Sequence, residues 1–182
     1  NSISLQLIDA NRISNFFNIK VVSNFRQNDI INGGEGAPLV PIFHASLKKY
    51  LKVKKSAIFI NIGGISNITY ISKTGGLTAF DTGPGMCLLD DYVKLNTKNQ
   101  FDLNGNFSKR GKINYRILKK NMSDEFFKKD YPKSLDRNYF SIKKYKNLDF
   151  YDACATISMF TVLSIYEGIK KTEIDCDYIY LV

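Results

Sequence analysis

The chain has 182 residues, 44% of them hydrophobic and 13% aromatic, with a formal net charge of +9. That is enough for one full domain or pieces of two, with enough apolar material to pack a core. No apolar run approaches the ~20 residues that span a bilayer, and the start "NSISLQLID" lacks the basic and apolar regions of a signal peptide.

In chain order, "DANRISNFFN" (9–18) predicts a short helix capped by Asp9, with Ile13, Phe16 and Phe17 on one face. "IKVVSNF" (19–25) reads as a strand. A loop over 26–37 then carries Asp29 and three glycines, Gly33, Gly34 and Gly36. Helix 38–51 is expected to start with Pro38 and Pro41, both tolerated in a first turn, and to end on Lys48, Lys49 and Lys52, where the dipole favours cations. "KVKKS" (52–56) marks a linker or domain boundary.

Beyond it, "AIFINI" (57–62) is nearly all apolar and reads as a central strand. "ISNITYI" (65–71) and "LTAFDT" (77–82) follow as further strands, and "GPGMCLLDDYVKL" as a helix begun by Pro84 with Leu88, Tyr92 and Leu95 on one face. Residues 98–147 are polar and irregular apart from a helix at 111–121. A long apolar helix (150–171) should pack on the sheet, and "DYIYLV" (177–182) is the next strand. The order β-β-β-α-(insert)-α-β describes a mixed α/β layer.

The charge is localised. Residues 98–147 hold fourteen Lys/Arg and five Asp/Glu, and the rest of the chain holds twelve of each. A basic block attracts nucleic acid or anionic substrates, but no nucleic-acid motif accompanies it and Lys outnumbers Arg, which favours a solvated surface. Cys87, Cys154 and Cys176 are odd in number and form no CxxC pair. They read as reduced, buried thiols of a cytoplasmic protein.

Three Gly-rich turns carry the candidate chemistry. "NIGGISN" (61–67) joins two strands through Gly63 and Gly64, which suits either a tight hairpin or backbone N–H contacts to phosphate. In "FDTGPG" (80–85) a strand ends on Asp81 and Thr82 and runs through Gly83 and Gly85 into a helix start. Such a start favours anions, while Asp81 or Thr82 could equally cap the helix. "NDIINGGEGAP" repeats the pattern around Asp29. Together the turns suggest strand ends gathered at a ligand cleft. Walker A, HExxH, Gx[ST]xG and EF-hand patterns are absent. His44, the single histidine, lies inside a helix, so a His-based triad is not expected.

Four strings, "FRQNDIINGGEGAPLVPIFH", "NIGGISNITYI", "FDTGPGMCLLDDYV" and "DLNGNFSKRGKIN", resemble, in this order, the 1,6-anhydro-N-acetylmuramic acid kinases. "SISLQL" and "PKSLDRNYF" are similar too, with Lys133, Ser134 and Arg137 in a KSxxR pattern whose "LDR" departs from the usual "TGR". Asn24 stands where an Asp or another polar residue is common. The resemblance implies a two-domain actin/hexokinase-like (ribonuclease H-like) α/β fold binding an amino sugar and ATP with Mg²⁺. It implies cleavage of the 1,6-anhydro ring with phosphorylation of O6, giving N-acetylmuramic acid 6-phosphate in cell-wall sugar recycling.

By position, Asp29 matches the catalytic aspartate, as general base. Asn61, Gly63, Gly64, Asn67, Gly83 and Gly85 would contact nucleotide or phosphate, and Gly33, Gly34, Asp81 and Thr82 substrate; no metal-ligating residue is assigned. Residues 1–55 would end the first domain, and 56–182 would form most of the second, with 98–147 as a basic insert. The family's "GxMSGTSxDG" loop and "GGGxxN" motif are not in this sequence, and the chain lacks an initiator Met. A fragment of a longer protein is therefore expected, inactive by itself, from a cytoplasmic enzyme that is a homodimer at full length, with no nucleic-acid or membrane partner.

Overall fold

Strand β1 (Ala57–Ile62) lies at the centre of a mixed sheet. It pairs antiparallel with β2 (Ile65–Ile71) and parallel with β4 (Tyr178–Leu181), and β2 pairs antiparallel with β3 (Leu77–Pro84). The order is β3-β2-β1-β4. This is the mixed α/β layer expected from the strand pattern, and the computed structural model describes residues 5–34, 36–172 and 176–182 of it. The string "SISLQL" and Glu35 of "GGEGAP" lie wholly or partly outside those residues.

A β-branched run buried on both faces suits a central strand. On one face Ile58 and Ile60 join Ile68, Phe80 and Ile165. On the other, Ala57 and Phe59 join Ile71 and are covered by Ala45 and Leu47 of helix α3 (Pro41–Tyr50). His44 of α3 is buried, stacks on Phe59 at 4.8 Å between ring centroids, and has Nδ1 2.9 Å from Thr69 Oγ1. It is a core histidine, and burial lowers its pKa.

Helix α7 (Phe150–Lys171) matches its expected span and crosses the Ile58 face. Asp149 caps it, accepting from Tyr151 N at 2.9 Å. Its last turns pass very close to β3. A Cβ built on Gly168 would lie 2.5 Å from Thr82 Cγ2, and one on Gly83 2.5 Å from Ser164 Cβ. The earlier turns carry Ala153, Cys154, Ile157 and Phe160 into a second core with Leu88, Leu89, Tyr92 and Val93 of helix α4 (Cys87–Asn96). The segment 98–147 closes that core with Leu118 of α5 (Tyr115–Met122), Phe126 and Phe127 of α6 (Glu125–Lys128), Phe140 and Tyr145. It is thus packed through its aromatic residues. Burial pushes the Cys154 thiol up to about 12 and raises that of Cys87, so both are inert core groups.

Several boundaries differ from the sequence expectation. Residues 19–25 form no strand: among the described residues no neighbouring strand supplies a ladder, Val22 is exposed, and the chain enters helix α2 (Phe25–Ile31). Helix α1 (Ala10–Phe17) does form, with Asp9 accepting from Arg12 N, but Phe16 and Phe17 are exposed. Helix α3 begins at Pro41; Pro38, after a cis peptide bond, precedes it. Pro84 ends β3 opposite Ile65, so α4 begins at Cys87 and Leu95 turns outward. Helix α5 starts at Tyr115 because Asn114 caps it, accepting from Ile117 N at 3.0 Å.

Phe160 is fully buried and Phe16 is not. Phe160→Ala is expected to cost about 3–5 kcal/mol in urea unfolding, and Phe16→Ala to stay within about 0.5 kcal/mol.

Candidate active site

Asp29 sits on a helix rather than in a loop. Helix α2 ends in a Schellman motif: Gly33 N donates to Ile30 O at 3.0 Å, and Gly34 N to Asp29 O at 2.9 Å. Gly33 takes the left-handed conformation this requires, φ +89°. The chain then folds back over the Asp29 side chain. Gly36 N donates to Asp29 Oδ2 at 2.8 Å. Gly34 has no room for a Cβ, which would lie 2.2 Å from the same oxygen. Gly36 is left-handed too, φ +71°, and Arg26 Nη1 donates to its carbonyl at 2.9 Å. Asp29 Oδ1 accepts no hydrogen bond among the described residues. The residue is half-buried, with Oδ2 anchored by backbone.

The other two Gly turns are locked to each other. Gly85 N and Cys87 N donate to Gly64 O at 3.0 and 3.2 Å, and Met86 N donates to Gly63 O at 2.8 Å. A Cβ on Gly85 would lie 2.1 Å from Gly63 O, so a close backbone approach requires glycine here. The β1–β2 turn thus fills donors at the start of α4 that the sequence pattern offers to an anion. Gly83 packs against α7 instead.

Beside these turns, the strand register brings three predicted residues together. Asn61 pairs with Asn67, and Asn67 with Asp81. They form one polar row across β1, β2 and β3, on the face that carries Phe59 and Thr69. Asn67 Oδ1 is buried and has no hydrogen-bond partner among the described residues. Asp81 is buried at the sheet edge. Its backbone N–H donates to Lys133 O at 3.0 Å, and its Oδ2 accepts from Leu135 N at 2.9 Å. Burial raises the Asp81 pKa, and the Leu135 bond opposes that rise. Asp81 thus clamps the 133–135 segment and caps no helix.

Thr82 falls on the opposite face, its Oγ1 2.8 Å from Ser66 Oγ, so it does not share the row. Helix α3 relates the row to Asp29. His44 reaches Thr69 and Lys48 Nζ reaches Ser72 O, so the helix runs along β2 with its first turn toward Asn67. The Asp29 turn precedes that first turn in the chain, joined to it by residues 37–40. Sequence reasoning named Gly36 without giving it a role, and passed over Arg26 and the backbone at 133–135. Arg26 had one visible signal, its place three residues before Asp29, which puts both on one helical face.

A four-stranded mixed sheet with helices packed on it defines a mixed α/β protein, of a kind consistent with a kinase fold. A family model described as "Anhydro-N-acetylmuramic acid kinase" matches residues 1–182. Proteins named anhydro-N-acetylmuramic acid kinase are similar to the chain: 44% identical in Pelagibacter ubique over 93% of it, 41% in Clostridioides difficile over 93%, and 40% in Methylobacterium nodulans over 90%. The match covers 46%, 46% and 44% of those relatives, so the chain spans about half their length. The chain belongs to the anhydro-N-acetylmuramic acid kinase family.

A raised carboxyl pKa means that the folded state holds its proton more tightly than the unfolded chain does. That stabilisation is complete below the ordinary 3.8 and is lost as pH rises through the raised value. Asp81→Asn removes the titration and keeps an acceptor for Leu135 N. The urea midpoint of the unsubstituted chain, relative to that of the variant, should therefore fall as pH is raised from below 3.8. A difference independent of pH would contradict the assignment.

Proposed function

We propose that this chain carries the catalytic acid and the second-domain loops of an ATP-dependent sugar kinase. The enzyme opens the 1,6-anhydro ring of anhydro-N-acetylmuramic acid and phosphorylates O6. In this reading Asp29 is the general base, taking a proton from the water that attacks the anomeric carbon. The observation that carries the role is its geometry: Gly36 N holds Oδ2, and Oδ1 is left to accept. An anchored carboxylate contributes through position. Gly33 and Gly34 let the backbone pass close to it, which is where we place the sugar.

The Asn61–Asn67–Asp81 row would meet the phosphate end of the nucleotide, with the Gly63–Gly64 turn above it. Gly83 and Gly85 would serve this arrangement by packing the turn against α7 and α4. The unpartnered Asn67 Oδ1 and the Asp81 carboxylate suit a hydrated cation. Among the described residues no three His, Cys, Asp or Glu side chains converge into a metal cage. A magnesium ion would thus arrive on ATP, with its own waters, and supply charge neutralisation. The row would orient those waters.

In the same proposal residues 1–55 complete a first domain, and 56–182 form most of the second domain of an actin/hexokinase-like fold. The exposure of Leu5, Leu7, Phe16, Val22 and Ile31 supports the first assignment, because such side chains normally cover a domain core. Thr82, on the far face, would act on the site through its bond to Ser66. Turnover, a cytoplasmic setting and a homodimer would belong to a polypeptide of the relatives' length, and the 182 residues alone would not turn over ATP. No helix among the described residues is long and apolar enough to cross a membrane.

The test uses a polypeptide of the relatives' length that contains these residues. Asp29→Asn should lower anhydro-sugar phosphorylation by about 10²–10⁴-fold and leave thermal unfolding unchanged, since Asn still accepts from Gly36 N. Undiminished turnover in the variant would remove Asp29 from the role of base.

A further inference from the structure

We propose that the cavity between α5, α6 and α7 binds a small amphipathic anion: an alkyl or aryl chain with a carboxylate or phosphate head. It lies on the α7 face of the sheet, opposite the Asn61–Asn67–Asp81 row; Thr82 lines it, and the Lys133 carbonyl joins it to Asp81. Its volume is about 680 Å³, within the range of small-molecule sites. Leu118, Met122, Phe127 and Leu163 give it apolar walls.

Four lysines, Lys119, Lys128, Lys133 and Lys171, also line it, against one acid, Glu167. Lys128 is paired with Glu125 at 2.6 Å. Lys133 is buried, its Nζ donating to Phe126 O at 3.1 Å and standing 4.3 Å from the centre of the Phe126 ring. Lys171 Nζ donates to the carbonyls of Phe127 and Lys129. Carbonyls and rings hold an ammonium group in place without cancelling its charge. Among the described residues neither Lys133 nor Lys171 pairs with a carboxylate. Burial and the charge of Lys171 pull the Lys133 pKa down to about 8; Lys129 adds to this and Asp130 opposes it.

Two mutually repelling cations therefore border an apolar cavity with too little negative charge to balance them. An anionic head seated near them relieves the repulsion and gains charge-assisted hydrogen bonds. An apolar tail fills the walls. A neutral chain gains only the second term, and a bare phosphate only the first.

The sequence supplies its own reporters. Of the three methionines, Met122 lines this cavity, while Met86 and Met159 line a separate one. The full 182-residue chain, methyl-labelled at methionine, is titrated by NMR with octanoate, octyl phosphate, 1-octanol and inorganic phosphate. Octanoate and octyl phosphate should shift Met122 saturably and leave Met86 and Met159 in place, and the alcohol and free phosphate should bind roughly tenfold or more weakly. Lys171→Gln should weaken both amphiphiles about tenfold, and Glu167→Gln should tighten them. Lys119→Gln, at an exposed position, removes a charge without touching the carbonyl bonds of Lys171 and should also weaken binding. A Met122 signal that never saturates, equal binding of 1-octanol and octanoate, or affinities unmoved by all three substitutions would overturn the proposal.

Discussion

The structure depends on one backbone contact, the seating of the start of α4 on the β1–β2 turn. Gly63 and Gly64 offer their carbonyls, and Gly85, Met86 and Cys87 bring their N–H groups to them. The contact fixes where β3 stops and α4 begins, which points Leu88, Leu89, Tyr92 and Val93 into the second core. It also holds Gly85 O where Thr161 Oγ1 of α7 donates to it at 2.8 Å. Turn, helix start and long helix thus share one junction. Any side chain at Gly85 would push it apart, since the space is already taken by the Gly63 carbonyl.

From that junction outward the sheet orders the polar groups. Antiparallel pairing aligns Asn61, Asn67 and Asp81, although they are separated along the chain. The same pairing sends Thr82 to the other face. The adjacent row on its face is Phe59, Thr69 and Ala79, and α3 covers that row through His44. A buried carboxylate and an unpartnered amide oxygen are costly to keep. Their concentration in one row across three strands sets this part of the sheet apart from the apolar rows beside it.

Much of this was legible in the sequence where local pattern and tertiary role agree. The three strands after residue 56, helix α7 and β4 follow directly from apolar runs and their breaks. The setting of His44, a single histidine inside a helix, argued against a triad, and its core place appears only in the packing on Phe59. What misled was punctuation by proline and glycine. Pro84 reads as a helix start but closes a strand, because its missing N–H costs nothing at a strand end. The Val-rich run 19–25 has strand propensity, yet propensity alone supplies no ladder partner. The glycines after Asp29 were visible, but the helix they terminate was not, since seven residues give too short a period to read. Leu135 N and Lys133 O, which hold Asp81, carry no sequence signature, because any residue presents the same backbone.

The Schellman turn after α2 has a consequence for how this site can change. Both anchors of Asp29, Gly34 N to its carbonyl and Gly36 N to its carboxylate, come from main chain. Among the described residues the one side chain that braces this turn is Arg26, which donates to the Gly36 carbonyl. The surrounding surface is therefore free to drift: Asn28 and Ile31 are exposed and could be exchanged while the two glycines keep the carboxylate still. The position of the carboxylate is thus encoded in backbone shape, while the exposed side chains around it are replaceable.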